Sequence, residues 1–324
     1  MKRLHPASIL VDRTNTRFAV ADVSLAQRLL VRKERRQYLM RVNVLIPVFN
    51  RLEHTRKVIA ALRAQTVVDN IRIVVIDDGS TDETAEFLAA QPDVTSIRGD
   101  GNLWWGGAIE VGLKRVLPDC GPEDYILFVN NDTWFGPTYV ETLIRCSREN
   151  RDAIIGSVVH EEESDPPLTG VGPRLNINRI AVWDILAELS EEERRNPKPL
   201  YKADALSGRG TLFPAELFKR HGTMRPRFLP HYMADYEISM RFARTGVQLL
   251  VSSEAIVYSP PVYGAHVSNT SSWKKHFGRR SPHNVFQRAA FYSLIGTPLQ
   301  RLTAPLRMAA FMIIRTAHTL RAKK

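Results

Sequence analysis

Cysteine is almost absent from this chain: Cys120 and Cys146 are the two thiols in 324 residues. Two thiols cannot build a disulfide framework or a structural zinc site, and their scarcity fits a reducing compartment. Long apolar runs are missing as well. Nowhere do about 18 to 20 uncharged apolar residues follow one another, and the N-terminus has no continuous apolar core of the signal-peptide kind, so a cytoplasmic chain that does not span a membrane is expected. A third absence is local. From Ala255 to Lys324 there is no Asp or Glu against eleven Lys or Arg, as many positive charges as the net +11 of the whole chain. Residues 1 to 41 add ten basic residues against three acidic ones, which leaves residues 42 to 254 at −7. An acidic body thus sits between two basic ends. The tail lacks a recognisable nucleic-acid module and regular aromatic interleaving, so no nucleic-acid partner is expected. What is there, 44% hydrophobic and 24% charged residues, is ordinary for a globular domain with a packed core.

Taken in order, Val23 to Met40 reads as a basic amphipathic helix with Leu25, Leu29, Leu30 and Tyr38 near one face, packed on the core or turned to another surface. Val42 to Ile46 is a short buried strand that Pro47 stops; a helix from Leu52 to Gln65 and a β-branched strand from Ile71 to Ile76 complete a parallel βαβ unit. Val94 to Ile97 is a third strand, succeeded by a glycine-rich turn around Trp104 and Trp105 and a helix through Val116. Tyr125 to Val129 is a fourth strand, ending abruptly in Asn130-Asn131-Asp132. Polar residues therefore terminate three strands: Pro47 to Arg51, Asp77 to Asp82, and Asn130 to Asp132. In a parallel sheet those ends share one edge, where open α/β sheets bind ligands. An Asx turn is the plain alternative for the last of them.

Further on, a helix covers Thr142 to Glu149 and a strand Ile154 to Val159. Next come polar insertions over the sheet, Glu161 to Pro173 and a weakly helical Ile185 to Arg195, with loops facing an acceptor. Gly208-Arg-Gly210 lies beside an apolar strand, and His231-Tyr-Met-Ala-Asp-Tyr-Glu237 leads into a helix through Ala243. Val247 to Val251 and Ala255 to Tyr258 read as two late strands. The tail is helical from Phe286, breaks at Gly296-Thr-Pro298 and resumes to Leu320. Its apolar stretch Met308 to Ile314 suits the interface of an anionic membrane, or else packing on the core or in a homodimer.

At these spacings, Pro47-Val-Phe-Asn-Arg51, Asp77-Asp-Gly-Ser-Thr-Asp82, Asn130-Asn-Asp132, Gly208-Arg-Gly210 and His231 to Glu237 resemble the nucleotide-diphospho-sugar glycosyltransferases of family 2. The resemblance covers about residues 42 to 270 and extends to the rhamnosyltransferase-like branch. It implies a GT-A fold: a Rossmann-like α/β, mixed and mainly parallel sheet flanked by helices. Here that domain spans 42–270, divided into a nucleotide-sugar half (42–135) and an acceptor half (136–270), between basic helical extensions at 1–41 and 271–324. Pro47, Phe49 and Asp78 would hold the base, with Asn50, Asn102 and Asn131 on the same donor side. Asp132 would bind Mg²⁺ or Mn²⁺ at the donor diphosphate, and Asn131 stands where the family commonly has a second acid. His266 resembles a histidine that some members return to the metal. Asp235 aligns with the catalytic base of inverting members, and is also placed to cap a helix.

The residues around these positions carry their own chemistry. Gly106 and Gly107 suit a helix N-terminus closely approaching the diphosphate, and Trp105 a stacking wall for base or sugar, unless one of the two tryptophans is simply core. Arg209 can neutralise a diphosphate or an acidic acceptor, or form a surface ion pair; His231 and Trp104 complete the acceptor side with Glu237, which orients the acceptor or the His231 and Arg241 side chains. The expected activity is inverting transfer from a UDP- or dTDP-sugar, dTDP-rhamnose among them, to a hydroxyl of a cell-surface glycan or lipid-linked acceptor at the inner membrane face. Asn131 leaves a second reading open, a catalytically weak or inactive GT-A-fold protein that binds sugar nucleotides or carbohydrate.

Overall fold

Val42–Val48 is buried along almost its whole length. A strand apolar on both faces belongs in the middle of a sheet, and this one, β1, lies there. β2 (Ile71–Asp77) pairs with it in parallel, Val42 opposite Ile71 and Val48 opposite Asp77. β4 (Tyr125–Phe128) pairs in parallel on the other side, Val42 opposite Tyr125, and β3 (Val94–Arg98) lies parallel to β2. The connecting helices are α1 (Leu52–Arg63), α2 (Thr84–Ala89) and α3 (Trp104–Val116). These residues belong to a computed structural model that describes 40–161, 164–259, 276–278, 281 and 283–321, with the side chains of 305 and 311–321 excepted. The expected N-terminal helix and His266 lie outside the described residues.

Past β4 the sheet becomes mixed. Its order is β3-β2-β1-β4-β10-β5-β11-β9, with β6 beside β5. β10 (Thr211–Pro214) runs antiparallel between β4 and β5 (Ile154–His160), while β11 (Leu249–Tyr258) is parallel to β5. β9 (Leu200–Lys202) and β6 (Leu168–Gly170) pair antiparallel at that end. Six strands thus point one way, giving the mainly parallel α/β sheet expected. The two late strands are one, with a register irregularity between Ser252 and Ile256 where the polar Ser252-Ser253-Glu254 interrupts an otherwise apolar run. The region 173–195 also differs from expectation. It forms a hairpin of β7 (Pro173–Asn176) and β8 (Ala181–Asp184), a 3₁₀ turn at Ile185–Glu188, and the short α5 (Glu191–Arg195). Asp184 explains the helix being cut short, since its carboxylate takes the N–H groups of Val171, Gly172 and Leu186 into a local turn.

Four phenylalanines tie the sheet to the helices that matter for the site. Phe128 on β4 lies 4.8 Å from Phe213 on β10 and 5.8 Å from Phe218 on α6 (Ala215–His221); Phe218 meets Phe242 of α7 (Ala234–Ala243) at 5.1 Å. All four are fully buried, and truncating such a ring typically costs about 3 to 5 kcal/mol. The cluster anchors α7 beneath β10. On the other side of the sheet α4 (Tyr139–Glu149) buries Val140, Leu143 and Ile144. α8 (Val285–Ile295) buries Phe291, Tyr292 and Ile295 and packs on α7; α9 (Pro298–Arg321) packs on α8. Residues 41–324 form one compact unit. Among the described residues no helix is long and apolar enough to cross a membrane.

Candidate active site

The chain leaves β1 through two residues with left-handed backbone, Asn50 (φ 59°) and Arg51 (φ 66°). Asn tolerates that conformation through local hydrogen bonds. Asn50 uses its own: its N–H donates to Ser80 Oγ at 2.8 Å and its Oδ1 accepts the Thr81 N–H at 2.8 Å. The ends of β1 and β2 are thereby locked together, leaving the Phe49 ring 47% exposed at their edge. At the end of β2, Asp77 is buried, accepts the Ser80 N–H at 2.8 Å and pairs with Arg98. Asp78 turns the other way. Its Oδ1 accepts Gly101 and Leu103 N–H at 3.0 and 3.1 Å, and its Oδ2 accepts Trp104 N–H at 2.8 Å.

Trp104 begins α3 with φ 60°, its ring edge-on to His231 at 6.0 Å. Trp105 points inward. Its Nε1 donates to Asn130 Oδ1 at 3.0 Å, and its ring stands edge-on to Phe128 at 5.8 Å. A Cβ on Gly208 would lie 2.1 Å from the Trp105 ring, so only glycine fits there. The Gly208 N–H in turn donates to Asp235 Oδ2 at 2.8 Å.

Asp235 sits in the first turn of α7, after Met233 (φ 65°), with Oδ1 accepting the Tyr236 N–H at 3.0 Å. It faces a cleft of about 500 Å³ lined also by Trp105, Asn130, Arg209 and His231, and by Glu161, Thr169 and Asp184. Burial pushes the Asp235 carboxyl up from 3.8 to about 6, against the opposing pull of the Gly208 and Tyr236 amides and the Arg209 guanidinium. A carboxylate so tuned is ionised at neutral pH yet basic enough to take a proton from a hydroxyl.

Asp132 lies two residues beyond Asn130. Its Oδ2 pairs with Arg51 at 2.8 Å, whereas Oδ1 is buried with no hydrogen-bond partner among the described residues. Asn131 is buried and turned inward, its Nδ2 donating to Thr55 Oγ1 at 3.4 Å. No cluster of three His, Cys, Asp or Glu occurs among the described residues. One orphaned carboxylate oxygen still fits a hard cation that completes its shell with phosphate oxygens and water, as Mg²⁺ commonly does.

Comparison with known proteins decides the family. Residues 43–221 match the model of "Glycosyl transferase family 2". The chain belongs to that family. An uncharacterised glycosyltransferase of Rickettsia typhi, RT0329, is 24% identical over 238 residues, 71% of this chain and 66% of its own length. Glycosyltransferase GlyA of Streptococcus pneumoniae is 31% identical over 130 residues, 39% of this chain and 18% of its own. EpsH of Bacillus subtilis is 28% identical over 125 residues, so this chain spans 35% of its length. The fold resembles the mannosyltransferase PcManGT of Pyrobaculum calidifontis, solved with GDP-Man and Mn²⁺, with a TM-score of 0.52 and 14% identity over 95% of this chain and 91% of that one. It also resembles GalNAc-T7 solved with UDP, GalNAc and Mn²⁺, with a TM-score of 0.54 and 15% identity over 70% of this chain and 45% of that one. The sheet is of the GT-A type.

In this family 2 glycosyltransferase the geometry narrows the sequence reading at two places. Gly106 is not open to a diphosphate. Its N–H donates to Pro230 O at 2.8 Å and a Cβ there would lie 2.7 Å from Leu229 O, so the glycine lets the loop before α7 close onto α3. Gly107 donates to Leu103 O within the helix, and Asp78 takes the two preceding amides, so a protein carboxylate already fills the anion site at this N-terminus. Glu237 does not line the Asp235 cleft, and of the contacts the sequence suggests for it the structure shows the one with Arg241. Two places after Asp235 on a helix, it faces elsewhere. It is buried between Arg241 (3.1 Å) and Arg225 (3.1 Å). Asn102 is exposed, its N–H held by Asp100 Oδ1 at 2.9 Å. Arg51 and Asn130 carry no role that sequence alone assigns, although both stand in the quoted motifs; only the fold reveals what they touch.

Two stability measurements check these placements. Asp78→Ala strips three amides of their acceptor and should lower the unfolding free energy by about 2 kcal/mol, read by chemical denaturation. Glu237→Ala leaves two guanidinium groups beside an emptied site and should cost about 3 kcal/mol; an unchanged midpoint with a raised acceptor KM would return Glu237 to the acceptor.

Proposed function

We propose that this glycosyltransferase transfers a sugar from a UDP- or dTDP-sugar to an acceptor hydroxyl with inversion, using Asp235 as the base. The observation that carries the reading is Asp235 itself: a carboxylate raised by burial to about 6, oriented by two backbone N–H groups, and facing a cleft of acceptor size. In the step proposed, an acceptor oxygen bonds to the anomeric carbon as the bond from that carbon to the diphosphate oxygen breaks. The acceptor proton passes to Asp235, and the nucleoside diphosphate leaves with the electron pair. A single displacement with the base on the face opposite the leaving group inverts the anomeric centre.

The remaining residues are assigned by what they touch. Phe49, exposed beside Pro47, offers a face to the base. Asp78 has used about three of its four acceptor positions on backbone amides, which leaves one for a base N–H. Arg51 and Arg209 supply positive charge toward the diphosphate, and Trp104 and His231 flank the acceptor entrance. Asp132 Oδ1 would hold a divalent cation, which when bound neutralises developing charge on the departing diphosphate. Asn131, spent on Thr55, adds no charge to that set. It is also the feature that favours a weakly active, sugar-nucleotide-binding protein.

Purified protein with Mn²⁺ or Mg²⁺ should bind and slowly hydrolyse a UDP- or dTDP-sugar; neither binding nor hydrolysis of any UDP-, dTDP- or GDP-sugar would sink the enzyme reading. Asp235→Asn should preserve donor affinity within about threefold while reducing transfer by roughly 10²-fold or more. A base works only when ionised, so kcat/KM should fall as pH drops through about 6; an acid limb near 4 would exclude Asp235. Calorimetry tests the cation. UDP should bind the wild type more tightly with Mn²⁺ than without it, and Asp132→Asn should remove that difference. A Mn²⁺ effect that survives the substitution would place the cation elsewhere.

A further inference from the structure

Asp184 divides its carboxylate between two tasks. Oδ1 accepts the N–H groups of Val171, Gly172 and Leu186 at 3.0, 3.3 and 2.8 Å, which fixes the side chain in place. Oδ2 has no hydrogen bond or ion pair among the described residues. It lies beside Gly170, where a Cβ would stand 3.8 Å away, and both residues line the cleft of Asp235. Glu161 lines the same cleft from just past the end of β5. Its Oε2 accepts the Ser164 hydroxyl at 3.2 Å, and its Oε1 has no partner among the described residues. A carboxylate on an open surface is ordinary. Two that share a cavity of about 500 Å³ with the base are within reach of whatever that cavity holds.

The charge in the cleft is unbalanced. Among the described lining residues Glu161, Asp184 and Asp235 are acids, and Arg209 is the one permanent cation. Arg209 offsets Asp235, on which its charge acts, and this leaves Asp184 and Glu161 without a positive counterpart. An acidic sugar would bring like charge against them, which at contact distance near a protein surface is strongly repelled. A sugar without acidic groups brings hydroxyl donors instead, and O–H bonds to a carboxylate are shorter and stronger than those to a neutral acceptor. Three amides hold Asp184 rigid before any ligand arrives, so little freedom is lost when such a bond forms.

We propose that Asp184 and Glu161 select the acceptor: a sugar unit carrying no acidic group, its hydroxyls donating to Asp184 Oδ2 and Glu161 Oε1, with uronic and phosphorylated sugars turned away by charge. The inference rests on the reading of this cleft as the acceptor site, and it removes the acidic acceptor that Arg209 by itself would admit.

Saturation-transfer NMR on the full chain tests it, with methyl glycosides in pairs that differ at one carbon: glucoside and glucuronide, galactoside and galacturonide, mannoside and mannuronide. At millimolar concentration at least one neutral member should bind, and its uronide should bind at least about tenfold more weakly. A uronide that binds as tightly as its neutral partner would overturn the proposal, as would the absence of binding by all three neutral glycosides. Asp184→Asn keeps a carbonyl oxygen for the three amides and replaces only the second oxygen, so its thermal melt should stay that of the wild type. Combined with Glu161→Gln, it leaves one carboxylate against one guanidinium, and the members of a pair should then bind within about threefold of each other. A folded double variant that discriminates as the wild type does would place the selection elsewhere. If Asp184→Asn does not fold, Glu161→Gln alone should narrow the ratio by roughly threefold, and an unchanged ratio would refute the assignment. Hydrolysis of a UDP- or dTDP-sugar, followed separately, keeps the two readings apart: lost selection with hydrolysis intact sinks the acceptor inference alone, and selection without hydrolysis sinks only the transfer reading.

Discussion

The buried carboxylate of Asp78 holds the site together. Its backbone N–H closes onto Val48 O at the end of β1, at 2.8 Å, and its two oxygens gather the amides that open α3. One residue thus joins two strands and a helix. From α3 a relay of contacts runs on: Trp105 reaches Asn130 at the end of β4, its ring closes over Gly208, and Gly208 donates to Asp235. Each link fixes one more element at the carboxyl edge of the sheet. The position of Asp235 is therefore set by residues more than a hundred places upstream, and a fault in the α3 turn would reach it without touching α7.

Acidic side chains in this crevice divide by how their oxygens are used. Asp77 and Glu237 are buried and fully engaged with amides or guanidinium groups, which is what lets a charge persist inside a protein at all, whereas Asp78 takes three amides and keeps about one acceptor position to spare. Asp235 is engaged more lightly, by two amides, and burial wins, raising its carboxyl toward neutrality. Asp132 is half engaged, one oxygen on Arg51 and one with no partner among the described residues. Function is sought where compensation is incomplete, since a fully satisfied carboxylate has little left to offer a substrate.

Local pattern was enough for the parallel half of the sheet. Unbroken apolar runs at Val42, Ile71 and Tyr125 could be little else than buried strands, and the polar residues after them had to meet at one edge. Asp235 at the head of a helix was legible for the same reason. Features made by distant contacts were not. β10 enters antiparallel between β4 and β5, a choice with no signature in four residues. Gly106 looked like a ligand-binding glycine because nothing local announces that Leu229 and Pro230 press against it. For Glu237 the partner Arg241, four places on along the helix, is legible in the sequence, but Arg225, which comes from the loop before α7, is not. The β7–β8 hairpin was hidden by sequence of weak periodicity, where Asp184 organises the turn through its side chain.

The single free oxygen of Asp132 also bears on how a donor is accommodated. A nucleoside diphosphate brings at least two negative charges to a place where Asp132 already carries one, and at 4 Å a pair of like charges near a protein surface repels by about 4 kcal/mol. A second acid at position 131 would add to that repulsion unless a cation were always present. With an amide there, turned to Thr55, the fixed negative charge is one, and the Arg51 guanidinium matches it while standing half exposed. Moving that guanidinium from Asp132 to an arriving phosphate breaks one ion pair and makes another, at little net electrostatic cost. Asp132 would then be released to a cation at the moment the donor supplies the rest of the shell. Under the proposed function the single carboxylate would tie any cation to the donor, whose phosphate oxygens would have to supply the rest of its shell.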